Sequence, residues 1–267
     1  MMKLIHTFYN INDNKAHEFI NHICFVLSCL CAKKLGYNID LHCDKNTAKL
    51  YSIAPYDNIY ADLIDLDLPK GVYAKSKFDI MKNQPLGDIH IDGDVFLLKE
   101  TVKPFLEFDD YDIIVQNKET NKNVGCHLWK ESADMLSNCQ YPEYAKKKCD
   151  AMYNCGVIGF NNQNLKDIYF DMYYSVLEDY RKNGVNGIGI PDIIIEQQFL
   201  CDLCEKYNYK VKFVLDEEVP KETSKNIGYS HLIGPSKYTF YKNVLKMIEK
   251  IDANIYGELK KIYKNII

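Results

Sequence analysis

No apolar run in this chain is long enough to cross a bilayer, and no charged segment followed by an apolar stretch opens it. The expectation is a protein made and kept in the cytosol. Basic residues are not in excess. The formal net charge is -4 and the pI about 6.0, so bulk charge gives no sign of a nucleic-acid partner. A phosphate-cradling loop is also missing. Gly184, Gly187 and Gly189 form a loose glycine-rich loop, but no Lys-Ser/Thr follows and the spacing is not that of a dinucleotide fingerprint. Internal repeats and low-complexity linkers are absent. The chain therefore reads as one domain, residues 1–240, followed by a C-terminal amphipathic helix, 241–267.

What is present is a core. At 267 residues and 47% hydrophobic content, the chain can bury one of good size. Ten cysteines would suit a disulfide scaffold only in a much shorter secreted protein. Cys24, Cys29 and Cys31 lie in an apolar helical stretch, where thiols pack as small hydrophobes. Cys201 and Cys204 form a CxxC on one predicted helix with no second pair at zinc-ribbon spacing, so packing is expected there too.

Leu4–Phe8 reads as a strand, Lys15–Leu35 as a helix closed by Gly36, and Tyr37–Asp44 as a second strand. That βαβ order predicts a parallel sheet, whose ligands bind beyond the carboxyl ends of the strands. His6, Asn10 and Asp44 are placed to face one, although His6 reads equally well as a satisfied strand histidine. Tyr73–Met81 is expected as a helix whose Lys75 and Lys77 could neutralise a diphosphate. Further strands are expected at Tyr111–Gln116, Tyr153–Phe160 and Val211–Leu215. The Asn- and Lys-rich segment 117–124 reads as a surface loop, leading to His127 and the only tryptophan, Trp129. Helices are expected at Tyr141–Cys149, Leu165–Arg181 and Ile193–Glu205, the last opened by Pro191-Asp192.

The stretch Ile89–Leu98 reads as a buried strand interrupted by Asp92 and Asp94. Two charges at the end of such a run cost several kcal/mol each unless something compensates them. A hard divalent cation, Mg²⁺ or Mn²⁺, would do so and would accept substrate phosphates as further ligands. Gly93 between them permits close approach of backbone or ligand. A solvated turn after a short strand is the plainer alternative.

Asp92-Gly93-Asp94 at a strand end, Asn154-Cys155-Gly156 opening another, Glu196-Gln197 on a helix and His231-x-x-Gly234-x-x-Lys237 occur in that order. In this the sequence resembles the GT-A-fold glycosyltransferases, and most of all glycosyltransferase family 8, over roughly residues 3 to 240. The resemblance implies a Rossmann-like α/β fold with a mixed, mainly parallel sheet flanked by helices and a C-terminal helical tail. It implies transfer of a hexose from a nucleoside-diphosphate sugar, UDP-glucose or UDP-galactose, to a glycan or glycolipid acceptor, of the kind found in bacterial polysaccharide synthesis. It places Mn²⁺ or Mg²⁺ on Asp92, Asp94 and His231, and the donor diphosphate on Gly234 and Lys237. Asn154 and Gly156 would line the donor sugar, Glu196 would lie near donor and acceptor hydroxyls, and Gln197 near the reacting carbon. Three positions depart from the family pattern: Glu196 stands for Asp, Cys155 for Ala, and Tyr238-Thr239 for Pro-Trp.

Transfer with retention follows from the chemistry at Gln197, because an amide is a poor nucleophile where a retaining hydrolase would use a carboxylate. Front-face attack is preferred, with Glu196 as the rival covalent nucleophile. Two other classes stay open: a catalytically silent sugar-nucleotide-binding scaffold of the same fold, and a phosphatase resembling the haloacid dehalogenases. In the tail, Val244, Leu245, Ile248, Ile251, Ile255, Leu259 and Ile262 form an apolar stripe beside several lysines. It either packs on the domain or docks peripherally on the inner face of a membrane.

Overall fold

The computed structural model describes residues 2–9, 14–64, 66, 72–120, 126–146, 150–183, 191–216, 220–264 and 266. In chain order, β1 (Lys3–Phe8), α1 (Lys15–Lys34), β2 (Asn38–Cys43), α2 (Lys45–Tyr51) and β3 (Asn58–Tyr60) come first. They are followed by α3 (Lys75–Asn83), β4 (Ile89–Ile91), β5 (Val95–Leu97), α4 (Lys103–Leu106), β6 (Ile113–Thr120) and α5 (Cys126–Met135). Next are β7 (Ala151–Phe160), α6 (Gln163–Asn183), a π-helical segment (Ile193–Gln198), α7 (Phe199–Tyr207) and β8 (Val211–Phe213). The chain ends with α8 (Pro220–Ile227), β9 (Tyr229–His231), α9 (Ser236–Ile251) and α10 (Ala253–Ile262). Strand pairing is mostly parallel and helices flank the sheet, so the fold is mixed α/β as expected. The chain divides into two compact units: Met1–Asp65 with Asp88–Pro104 and Lys221–Ile267, and Leu66–Gly87 with Phe105–Pro220.

In the first unit β1 lies between β2 and β4, with β3 outside β2, all parallel. The predicted βαβ unit is there, and Gly36 closes α1 at φ +80, a left-handed conformation that favours glycine. Asn14 caps the other end, accepting from the Ala16 amide at 2.9 Å. α1 does not bury one face alone. Every residue from Phe19 to Ala32 is buried, because the helix packs against β2, β5 and α9. Its cysteines are free and buried, and burial pushes the Cys24 and Cys31 thiols up to about 12.

The expected strand 89–98 is two strands. The chain turns at Asp92–Asp94, closed by the Val95 amide donating to the Asp92 carbonyl at 3.0 Å. β5 then pairs antiparallel with β9 instead of continuing β4. The expected single C-terminal helix also breaks. Asp252 is extended (φ -148, ψ 100) and its side chain accepts from the Asn254 and Ile255 amides, which starts α10. Val244, Leu245, Ile248 and Leu259 of the apolar stripe are buried. Tyr263 beyond it bonds His22 Nδ1 at 3.0 Å and sets its ring 4.9 Å from Phe19. Those four residues of the stripe are therefore core and not available to a bilayer, while Ile251 and Ile255 are half-buried and Ile262 is exposed. Among the described residues no helix is long and apolar enough to cross a membrane.

In the second unit β6 pairs antiparallel with β7 and parallel with β8. β6 runs on to Thr120, opposite Ala151, where a loop is expected from residue 117. The ladder to β7 supplies the backbone partners that its polar composition conceals. A helix expected over 141–149 is absent from the described residues 141–146, and the Lys146 amide instead donates to Asp202 Oδ2 at 2.6 Å. The expected helix 193–205 opens as the π-helical segment and continues as α7, ending at left-handed Asn208. Phe78, Tyr169, Phe170 and Tyr173 are buried at the centre of the unit, and the Phe78 and Tyr173 rings stack at 3.5 Å. Asn10, the loop 184–190 and the side chains of His127 and Trp129 lie outside the described residues.

Candidate functional site

The turn between β4 and β5 carries Asp92 and Asp94, and the β5–β9 pairing brings the third candidate to it. Val95 lies opposite His231 in that antiparallel pair, and the Asp94 carbonyl accepts from the Leu232 amide at 3.0 Å. His231 Nε2 consequently stands 3.3 Å from Asp94 Oδ1. The chain then turns at Gly234, whose φ of +56 is left-handed, and enters α9. Lys237, in the first turn of that helix, places Nζ 2.7 Å from Asp94 Oδ2. Residues far apart in the chain, Asp94 with His231 and Lys237, thus meet because one short strand leaves the main sheet to receive β9.

Asp94 is buried and Asp92 half-exposed. Burial works to raise the Asp94 carboxyl, but His231 and Lys237 outweigh it and hold it well below the usual carboxylate range. Burial works to lower Lys237, but Asp94 outweighs that and keeps it an ammonium above its ordinary value. Asp94 is therefore a carboxylate held beside the Lys237 ammonium.

Gly93 is required for space. A Cβ there would fall 2.0 Å from the Phe25 ring, so α1 forms a floor under the turn. The close approach at Gly93 is by this aromatic ring of the protein itself.

One ligand atom from each of Asp92, Asp94 and His231 lies within 4.8 Å of the other two. That donor set suits a divalent cation with ligands at about 2.1 Å and coordination positions left for phosphate oxygens. Residues and chemistry fit such an ion.

His6 is not with them as a donor to ligand. It is fully buried, with Nδ1 2.8 Å from Tyr56 Oη and Nε2 3.1 Å from Ser28 Oγ. Burial lowers its imidazole to about 3, against a smaller opposing pull from Asp94. Asp44 caps α2, accepting from the Asn46 and Thr47 amides.

The remaining candidates belong to the second unit. Lys77 on α3 is buried, with Nζ 2.9 Å from Glu196 Oε1 and donating to the Cys155 carbonyl at 2.6 Å. Lys75 pairs with Asp79 one turn on. Asn154 Nδ2 donates to Glu119 Oε1 at 2.9 Å, while its Oδ1 accepts from the Gly156 amide at 3.0 Å. Glu196 is buried and Gln197 half-buried, both on the π-helical segment. Such segments recur at functional sites. Asp192 does not cap its own helix. Its Oδ2 accepts from the Tyr73 amide and, at 2.9 Å, from Ala74 at the entry to α3, the helix that carries Lys77. Sequence reasoning named Lys77 and Glu196 separately and missed their pairing. It also missed Phe25, Ser28 and Tyr56, which carry no motif.

Among solved structures, the chain is similar to the galactosyltransferase LgtC in complex with donor and acceptor sugar analogs. Identity there is 14% over 79% of this chain and 73% of that one, with a TM-score of 0.43. It is similar to mouse xyloside xylosyltransferase 1 at 13% identity over 79% and 84%, with a TM-score of 0.42. A 4-diphosphocytidyl-2C-methyl-D-erythritol synthase from Anaerococcus prevotii follows at 10% identity over 85% and 96%, with a TM-score of 0.38. No curated protein matches the chain. Residues 2–267 match one family profile, and the chain belongs to that family, DUF6734, a family of unknown function.

Proposed function

We propose that this protein is a divalent-metal-dependent glycosyltransferase of the GT-A type, taking a hexose from a UDP-sugar to a glycan or glycolipid acceptor. The observation that carries the reading is the convergence of Asp92, Asp94 and His231 with Lys237 2.7 Å from Asp94. Asp92, Asp94 and His231 would hold Mn²⁺ or Mg²⁺. When bound, the ion neutralises charge that builds on the departing diphosphate. Lys237 has three N–H donors. One is directed at Asp94, and the side chain, one quarter exposed, can present another to a diphosphate oxygen. Such preorganised charge is usually the largest contribution to catalysis. Gly234 gives the loop before Lys237 its left-handed turn, with open space around it.

The family resemblance would give Gln197 the place beside the reacting carbon, Glu196 that near the sugar hydroxyls, and Asn154 and Gly156 the lining of the sugar, all four residues being in the second unit. The amide of Gln197 cannot act as a carboxylate nucleophile, and Glu196 is held by Lys77, so front-face transfer with retention is the favoured course.

The test is release of UDP from a panel that includes UDP-glucose and UDP-galactose, with and without Mn²⁺. Metal-dependent release that Asp94→Asn lowers on the order of 10²-fold supports the transferase. Binding without turnover would favour a silent sugar-nucleotide binder, and phosphate-ester hydrolysis a phosphatase.

A further inference from the structure

The carbonyl of Val95, one residue after Asp94, accepts a hydrogen bond from Ser28 Oγ at 2.6 Å. A carbonyl can only accept, so the single Ser28 hydroxyl proton is committed to it. Ser28 Oγ must then accept from its other neighbour, His6 Nε2, at 3.1 Å. That fixes the proton of the neutral imidazole on Nε2 and leaves Nδ1 as an acceptor. Tyr56 Oη, 2.8 Å away, is its donor, because the other acceptor within its reach, the Phe25 carbonyl, lies at 3.4 Å, the long limit of a hydrogen bond. Burial raises the Tyr56 phenol well above its ordinary value, so it keeps the proton this requires. Each link dictates the direction of the next.

We propose that Tyr56, His6 and Ser28 are positioning residues for the Asp92–Gly93–Asp94 turn, a one-way hydrogen-bond relay that ends on the backbone where the turn enters β5. The proposal rests on reading Asp94 as a metal ligand. The turn is otherwise fixed by backbone bonds at Asp92 and Asp94 and by the Phe25 ring beneath Gly93. The relay adds the constraint at Val95. It ties the exit of the turn to β1 and α1, the two elements that carry His6 and Ser28. His6 and Ser28 are 0% and 1% exposed, so water cannot substitute for either partner.

The test titrates Mn²⁺ alone into the full chain and follows affinity in wild type, Asp94→Asn, Ser28→Ala, His6→Phe and His6→Gln. Ser28→Ala and His6→Phe should bind Mn²⁺ about 10–100-fold more weakly, the usual effect of losing an outer support of a metal site. His6→Gln retains an N–H donor near the Nε2 position and should recover most of the loss. If wild type takes up no Mn²⁺, or Asp94→Asn binds it as well as wild type, the metal reading fails and this role falls with it. If Asp94→Asn loses Mn²⁺ while Ser28→Ala and His6→Phe keep wild-type affinity, the relay alone is overturned. Equal losses in His6→Gln and His6→Phe overturn it too. Should the variants not fold, ¹⁵N-imidazole spectra of the wild-type chain decide. A neutral His6 protonated on Nε2 at pH 7 is expected, and an Nδ1-protonated or charged ring overturns the relay.

Discussion

Lys237 Nζ and Asp94 Oδ2 stand 2.7 Å apart, the lysine in the first turn of α9 and the aspartate in the turn before β5. This pairing makes the two residues separable by experiment. Asp94→Asn should reduce metal-dependent turnover on the order of 10²-fold, as loss of a main electrostatic support does. Lys237→Ala should weaken UDP binding by about 1.5–3 kcal/mol, the range for a hydrogen bond to a charged group. Calorimetric titration of UDP into both variants checks this, and unchanged UDP affinity in Lys237→Ala would remove the diphosphate role.

Gly93→Ala should be costly to stability as well as to activity. Its Cβ would lie 2.0–2.3 Å from three Phe25 ring atoms, and overpacking of this kind costs about 1–3 kcal/mol. Phe25→Leu in the same chain should recover part of the loss. Urea midpoints of the single and double variants measure it.

The pH dependence of stability has a definite sign. His6 and His22 are lowered by burial from 6.5 to about 3, so between those values the unfolded chain binds protons that the folded chain does not. Stability from both groups is present above pH 6.5 and is lost as pH falls towards 3. Asp192 works the other way. Burial raises it from 3.8 to about 7, so its contribution is full below 3.8 and is lost as pH rises through 7. The pair of histidines should prevail over the single acid between pH 4 and 6.5. Asp192→Asn should therefore steepen the acid slope, and His22→Phe should flatten it, in urea titrations across that range.

The ion pair of Lys77 and Glu196 is buried on both sides. Removing one partner, as in Glu196→Leu, leaves a buried charge and should cost about 3–5 kcal/mol. Lys77→Met with Glu196→Leu should cost less than either single change. A double-mutant cycle of denaturation free energies checks it, and separates structural loss from any chemical role of Glu196.

Truncation after Lys237 should unfold the first unit. It removes buried Val244, Leu245, Ile248 and Leu259, each worth about 1.5–3 kcal/mol, a total comparable to the whole stability of a domain. The full chain should stay in the supernatant with anionic vesicles at low salt. Sedimentation of the full chain with them would show a membrane contact that the four buried residues of the stripe do not provide.

The opening βαβ unit was legible because its hydrophobic periods are local and Gly36 marks the stop. Asp92, Asp94, His231 and Lys237 were legible as a set through the order of their motifs. The end of β6 was not, since residues 117–120 are polar and become strand only through the ladder to β7. The break at Asp252 was hidden inside an unbroken apolar stripe, although Asp is a good N-cap. His6 read equally as a ligand-facing residue and as a satisfied strand histidine, and Tyr56 and Ser28, twenty or more positions away, decided for the second.

The sequence by itself determined which side chains are available for charge and metal chemistry, and the local elements that carry them, because composition and short-range periodicity set both. Only the tertiary structure decided that β5 turns away to pair with β9, that Phe25 lies under Gly93 and that Lys77 meets Glu196. Each of those is a contact between residues far apart in the chain, chosen by packing and by the need to satisfy buried polar groups, and neither leaves a periodic trace in the sequence.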